Sequence, residues 1–400
     1  MKNNLRFQVF IFTATRVVLN TMYRMVYPFL AAFGRGMGVD LPTLTLALTA
    51  RSLAGVFGPI IGSLGDTRGR KTGMLFGLSL FIIGVCLVVI WPTFLTFMLA
   101  LILSVVGKFA YDPSMQAYLG DRVAYQQRGR VLAITELGWS LSFIIGVPLM
   151  GFLISRYGWK APFPVLTLLG LGAFGVLAWM VPGDKVRSGV QSGLWRNLRK
   201  MFSHPPVVAG LVMALLIGSA NEMINLVFGV WLENSFGLMI AALGAASAVI
   251  GLAELSGESF AAAFTDRLGK SLAVSLGLGL NCLAVLALPL LGTSSTGAVI
   301  GLFFFFITFE YAIVSSIPMM SEVMPSARAT VMAVAGASVS LGRALGALIG
   351  TPLYLFSESS PVIPDLLPNA VAAIIFNLLG IIALRYLQLG IESQAETPVI

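Results

Sequence analysis

The chain has 400 residues, 57% of them hydrophobic and only 10% charged, with a formal net charge of +8. A soluble domain carries about 25% charged residues, so a chain this apolar cannot cover its own surface in water. The basic residues are scattered over short loops, which is a poor fit to a nucleic-acid binder.

Counting about 20 apolar residues per crossing, the sequence predicts twelve membrane-spanning helices. Their approximate limits, numbered as spans 1 to 12, are 7–33, 43–64, 73–91, 94–118, 130–154, 161–181, 206–234, 239–264, 271–291, 297–321, 329–356 and 366–388. The strands of a β-barrel would be shorter and would alternate in polarity. Span 1 is too long for a signal-peptide core, contains Arg16 and Arg24 and shows no small-residue cleavage site, so it is read as a retained span. Cys86 and Cys282, the two cysteines, both lie inside apolar runs, so neither a disulfide framework nor a thiol metal site is indicated. The longest polar interruption, 182–205, holds Asp184, Lys185, Arg187, Arg196, Arg199, Lys200 and His204. It divides the chain into a six-helix bundle at 1–181, a linker at 182–205, and a second bundle with a short tail at 206–400. The expected fold class is thus an all-α polytopic membrane protein in two six-helix halves.

Orientation follows from Lys and Arg. Alternate loops counted from the N-terminus hold 17 of the 25, and the opposite loops hold only Arg35, Arg156 and Lys160. The positive-inside rule then places both termini and the linker in the cytosol, in a plasma (inner) membrane. The halves also repeat. Asp66 and Gly69 recur 200 residues later as Asp266 and Gly269, and Arg128 recurs as Arg328. Gly146-Val147-Pro148-Leu149 in span 5 matches Gly350-Thr351-Pro352-Leu353 in span 11, 204 residues on. Six helices copied in parallel place a substrate site between the copies at mid-membrane.

The segment Gly62-Ser63-Leu64-Gly65-Asp66-Thr67-Arg68-Gly69-Arg70-Lys71 resembles the signature that the major facilitator superfamily carries between its second and third helices. Asp266-Arg267-Leu268-Gly269-Lys270 is similar to its degenerate second copy. Gly120-Asp121-Arg122 with Arg128-Gly129-Arg130 also resembles the family. The resemblance implies a cytosolic gate in which Gly62 and Gly69 permit close approach and a tight turn, while Asp66, Arg70 and Asp121, with Asp266 in the second copy, form an ion-paired latch. Span 5 is similar to the Gly/Pro-rich motif of the family's antiporters, but Val147 separates the glycine from the proline.

Eleven charged residues lie inside the spans away from their ends: Arg16, Arg24, Arg51, Lys108, Asp112, Glu136, Glu222, Glu254, Glu258, Glu310 and Arg343. Each costs about 2.5–3.5 kcal/mol at a lipid-facing helix centre, a total of roughly 30 kcal/mol that exceeds any folding stability. They must face one another or water. Spans 3, 6, 9 and 12 hold none in their cores, so every third span is left to face lipid. Arg16, Asn20, Tyr23, Arg24 and Tyr27 follow helical spacing on span 1, Lys108 and Asp112 on span 4, Glu222 and Asn225 on span 7, Glu254 and Glu258 on span 8. At about 1.5 Å per residue, Arg16, Lys108, Glu254 and Glu310 share a depth roughly 15 Å from the cytosolic helix ends.

These residues, with Arg51 and Trp139, form the expected substrate site: Arg16, Asn20, Tyr23, Arg24, Tyr27, Arg51, Lys108, Asp112, Trp139, Glu222 and Asn225. Glu254, Glu258 and Glu310 are the expected proton-coupling groups, because like charges sharing a low-dielectric space favour taking up protons. Pairing across helices as structural glue is the competing account, strongest for Glu136 and Arg343. No Gly-rich phosphate loop ending in Lys-Ser or Lys-Thr is present, and no nucleophile–base or metal constellation argues for an enzyme. The expectation is a monomeric secondary transporter without cofactor, embedded in the bilayer and moving a small molecule with protons. Export of an amphipathic organic compound leads; uptake of an organic anion, or a passive channel or sensor on the same fold, are the alternatives, and sodium coupling stays open.

Overall fold

The structure, a computed structural model, describes residues 3–183 and 194–395. All regular structure among them is helical. Ten helices are long and apolar enough to cross a membrane: Arg70–Ile90, Phe94–Arg122, Gln127–Tyr157, Pro162–Met180, Pro205–Phe236, Ile240–Leu268, Lys270–Leu291, Ser295–Glu322, Pro325–Glu358 and Leu367–Gly390. They are spans 3 to 12. With the first two crossings, both interrupted, they make the twelve-span, two-half layout.

The interruptions have local causes. Span 1 is helical over Asn3–Arg24, turns through residues 25–29 and resumes at Leu30–Met37. Pro28 in that turn has no N–H to offer the Arg24 carbonyl, which weakens the helix there. Tyr27 therefore lies in the break and does not continue the helical stripe of Arg16, Asn20 and Arg24, which corrects the expectation of one unbroken face. Span 2 runs over Leu41–Val56 and continues in two short pieces, Gly58–Gly62 and Leu64–Arg68. Its start is capped by Asp40, whose carboxylate accepts the Thr43 N–H at 3.0 Å. Hydrogen bonding from Thr43, its side chain first and its N–H second, holds the Asp40 carboxyl below its usual range. Span 5 contains a π-helical turn at Ser142–Gly146, directly before Pro148. Span 7 is interrupted at residues 226–227, between Pro205–Asn225 and Phe228–Phe236.

Two compact units result. One is Met1–Gln191 with Gly237–Leu252; the other is Ser192–Phe236 with Ala253–Ile400. The change of unit thus runs through span 8. Large apolar side chains stay exposed along the spans without internal charges, such as Leu168 and Leu171 on span 6, Leu283 and Leu290 on span 9, and Ile375 and Ile382 on span 12. These are surfaces for lipid.

The repeat reappears in the bonds inside each unit. Gly69 and Gly269 both take a positive φ, 99° and 86°, which a side chain disfavours. Each opens the span that follows it. Arg70 lies 3.6 Å from Asp121 at the end of span 4, and Lys270 pairs with Glu322 at the end of span 10. Arg128 Nε donates to the Val123 carbonyl at 3.0 Å, and Arg328 Nε to that of Ser321 at 2.7 Å. Deep in the spans, Asn20 Nδ2 donates to the Gly138 carbonyl and Ser219 Oγ to that of Gly342. The sequence offsets there are 199 and 204, the latter equal to the offset of the glycine-proline match in spans 5 and 11.

Candidate functional site

The first unit carries a connected charge network on spans 1, 4 and 5. Lys108 Nζ donates to Asp112 Oδ2, one turn along span 4, at 2.6 Å, and to Asn20 Oδ1 on span 1 at 2.7 Å. The other Asp112 oxygen lies 3.2 Å from Arg16 Nε. Arg16 also grips Glu136 with both terminal nitrogens, Nη1 to Oε1 at 2.7 Å and Nη2 to Oε2 at 2.8 Å, a bidentate pair. Gln116 Nε2 donates to Glu136 Oε1 at 3.1 Å. Arg16 is buried, whereas the Glu136 side chain is 45% exposed, so the network has a closed end and an open one.

Span 1 is tied to span 5 through backbone carbonyls. Arg16 Nη1 reaches Thr135 O at 2.8 Å, Asn20 Nδ2 reaches Gly138 O at 3.0 Å, and Arg24 Nη1 reaches Trp139 O at 3.0 Å. Residues 16, 20 and 24 are one helical stripe, and its donors land on one turn of span 5 just ahead of the π-helical turn. Such turns mark places where the helical ladder is diverted to other uses.

Above this lies a cation–aromatic layer. The Arg24 guanidinium sits 3.5 Å over the Phe143 ring and 4.2 Å over Trp139. Arg51, fully buried on span 2, donates to Tyr23 O at 2.8 Å and to the Tyr27 hydroxyl at 2.6 Å, with its plane 4.0 Å from the Tyr23 ring. Tyr23 O belongs to the last turn before the break in span 1, where carbonyls lose their helical donors. A cation at that helix C-terminus satisfies it and complements the dipole. Tyr23 and Trp139 lie 6.0 Å apart, and Lys108 Nζ is 5.7 Å from the Trp139 ring. Cations, aromatic faces and a carboxylate pair thus converge inside one membrane unit, a set suited to hold a molecule that is apolar in body and polar at one end.

In the second unit Glu222, Glu254 and Glu310 are all buried, and Glu258 and Arg343 are partly exposed. Asn225 Nδ2 donates to Glu222 Oε2 at 3.3 Å, at the last turn before the break in span 7. Span 8 meets span 10 at Gly257, where an added β-carbon would fall 2.6 Å from the Ile307 carbonyl and 2.9 Å from Glu310 Cβ. Gly257 is three residues beyond Glu254 and one short of Glu258, so Glu310 faces the turn of span 8 that carries both. Among the described residues no group of three or more His, Cys, Asp or Glu is arranged to hold a metal ion.

At the signature after span 2, Gly62 packs against Pro113 of span 4, with 3.2 Å left for a β-carbon, and Arg70 approaches Asp121. Asp266 is exposed. The Asp66 side chain lies outside the described residues, as do residues 184–193 of the linker. The sequence reading missed several participants. Gln116 continues the Lys108, Asp112 stripe by one more turn, a signal that was there to be read. Thr135 contributes a carbonyl and leaves no trace in its side-chain chemistry. Lys71, the last residue of the signature after span 2, donates to Ala178 O at 2.6 Å near the end of span 6.

The family model for the Major Facilitator Superfamily matches residues 12–385. The MFS-type transporter YceJ of Bacillus subtilis is 26% identical over 349 residues, 87% of this chain and 89% of that protein. The multidrug resistance protein fnx1 of Schizosaccharomyces pombe is 26% identical over 125 residues, 31% of this chain and 24% of that protein. Among solved structures, the D-xylose-proton symporter matches with a TM-score of 0.74 at 14% identity, over 95% of this chain and 97% of that one, a likeness of fold. The signature after span 2, the twelve-span repeat and a family match over nearly the whole chain agree: this multi-pass membrane protein belongs to the major facilitator superfamily and is a transporter.

Proposed function

We propose that this chain is a proton-coupled exporter of an amphipathic organic compound. The observation that carries the reading is the buried network in which Asp112 is shared by Arg16 and Lys108 beside the rings of Tyr23 and Trp139. An ion-paired cluster inside a membrane span costs free energy and marks function by default, and flat rings beside it favour a partly apolar guest. The carboxyls of Glu254 and Glu310, buried in the second unit, are the groups assigned to proton coupling. The partial match to a multidrug resistance protein accords with export. Both termini and the linker are placed in the cytosol by the distribution of Lys and Arg, Asp66, Arg70 and Asp121 are assigned to a cytosolic gate, and the transporter works as a monomer in the plasma (inner) membrane.

The test is transport in proteoliposomes with an imposed pH gradient and a fluorescent lipophilic cation. The expected result is dye movement opposite to the protons, abolished by a protonophore, with unlabelled dye on the far side stimulating exchange. Absence of that trans-stimulation points to a channel. A second reading, uptake of an organic anion, draws on the excess of two cations among the charges of spans 1 to 6; an anionic dye moving with the protons would favour it.

A further inference from the structure

A cleft lies away from the charge network, on the lipid-facing side of the second unit. Val208, Val212 and Leu216 line one wall from span 7, and Leu379, Ile382 and Tyr386 line the other from span 12. Each set follows helical spacing, so the two stripes form a groove along the helices. Its volume is about 1060 Å³, and small-molecule sites commonly run to about 300–1,000 Å³. The walls are apolar, and Val212, Leu379 and Ile382 are exposed along them.

One end of the groove is different. Phe202, Ser203 and His204 close it, and they terminate the amphipathic helix Leu194–Phe202. Leu198 and Met201 of that helix pack inward on the core formed with Val207 and Leu387, while Arg196, Arg199 and Lys200 are exposed. The helix contains no acidic residue. Arg199 lies three and four residues before Phe202 and Ser203, Lys200 lies four before His204, and Arg196 seven before Ser203. Helical spacing puts Arg196 and Arg199 on the face of this helix that leads to Ser203, with Lys200 beside them, one turn before the residues that close the groove. Ser203 Oγ donates back to Arg199 O at 3.0 Å, fixing that last turn. Tyr386, 67% exposed, places an amphipathic ring at the same level, as tyrosines do at membrane–water boundaries.

We propose that this groove binds a phospholipid with an anionic headgroup, one acyl chain lying between spans 7 and 12 and the phosphate held by Arg199 and Lys200 with Arg196. Charge complementarity selects the occupant. An apolar cleft alone accepts any lipid chain, and a solvated basic helix alone attracts any anion; their junction at the level of the membrane surface selects a molecule that is both. Basic clusters at such boundaries recognise anionic headgroups, each cation adding to the attraction. The site is separate from the substrate network and does not rest on the direction or coupling of transport.

Native mass spectrometry of the purified full-length protein, titrated with phosphatidylglycerol or phosphatidylcholine, tests it. The protein should bind phosphatidylglycerol at least tenfold more tightly. Arg199→Glu combined with Lys200→Glu, both at exposed positions, should bring that ratio close to one while leaving phosphatidylcholine binding intact. Val212→Trp, which fills the groove from a lipid-facing position, should weaken both lipids at least tenfold. Equal binding of the two lipids by the unaltered protein overturns the proposal without any variant. So does a phosphatidylglycerol preference that survives charge reversal. Displacement of phosphatidylglycerol by millimolar sodium phosphate would make this a free-anion site, and would overturn the assignment of a lipid.

Discussion

Asp112 accepts from Lys108 one turn away on its own helix and pairs with Arg16 across to span 1, so a single carboxylate is shared by two cations inside the membrane. Removing one partner of a buried pair costs about 3–5 kcal/mol, because it strands the opposite charge. Asp112→Asn should therefore lower stability by about 3 kcal/mol, read from the unfolding midpoint in detergent. Lys108→Met added to it should return part of that loss, since one of the stranded cations is gone, giving a coupling of about 0.5–3 kcal/mol in the double-mutant cycle. Purely additive losses would mean that Asp112 and Lys108 do not share a network. At this scale the sequence was informative where chemistry resides in side chains at helical spacing: Lys108 with Asp112, Arg16 with Asn20 and Arg24. It was silent where the partner is a carbonyl, as at Thr135, Gly138 and Trp139, because every residue owns one and only the packed backbone decides which is used. Asn281 and Asn377 illustrate the same limit. They join spans 9 and 12 at 2.8 Å, Asn281 also reaches Phe305 O, and a search restricted to charges passes over both.

Helices inside each unit approach closely at glycines, and Gly77 and Gly277, 200 residues apart, do so at corresponding positions of the two halves. A β-carbon on Gly277 would fall 2.8 Å from Ala312 on span 10, and one on Gly77 would run into the Gly107 carbonyl on span 4. Such approaches let membrane helices gain packing and weak backbone contacts without a hydrophobic drive. Gly277→Val should cost about 1–3 kcal/mol, the usual penalty of overpacking. Gly279→Ala, two residues on with open space around it, should be neutral by the same unfolding assay. Equal tolerance at both positions would argue against a tight contact between spans 9 and 10. The long apolar helices were fully legible from length and composition, and the break in span 1 is announced by Pro28. The break at residues 226–227 of span 7 has no proline. It starts 201 residues after the start of the first break, so only the internal repeat, applied to a break already seen, would have located it.

Across the whole chain the two halves share their framework of bonds and differ in charge: away from their ends, spans 1 to 6 carry four cations and two carboxylates, spans 7 to 12 four carboxylates and one cation. The framework explains the repeated sequence marks at 69 and 269 or 128 and 328, where backbone geometry and helix ends leave little choice. The charges are where the copies diverged, and there the reading of function rests. Glu254 and Glu310 are buried, and Glu310 faces the turn of span 8 that bears Glu254. On the proposed reading, these two buried carboxyls take up and release the coupled proton. A transporter that alternates such a cluster between two aqueous sides converts a pH gradient into substrate movement. With one proton exchanged per substrate, each pH unit supplies about 1.4 kcal/mol, enough for about tenfold accumulation. Gln at either position is a permanently neutral copy of the protonated acid. Glu254→Gln, Glu310→Gln and the double variant should each keep substrate exchange across the proteoliposome membrane, yet lose the accumulation driven by the gradient. The pairing of the two readouts separates coupling from damage, since a misfolded variant loses both. If all three variants retain full gradient-driven accumulation, proton coupling belongs to other groups, with Asp112 and Glu222 the next carboxyls to replace.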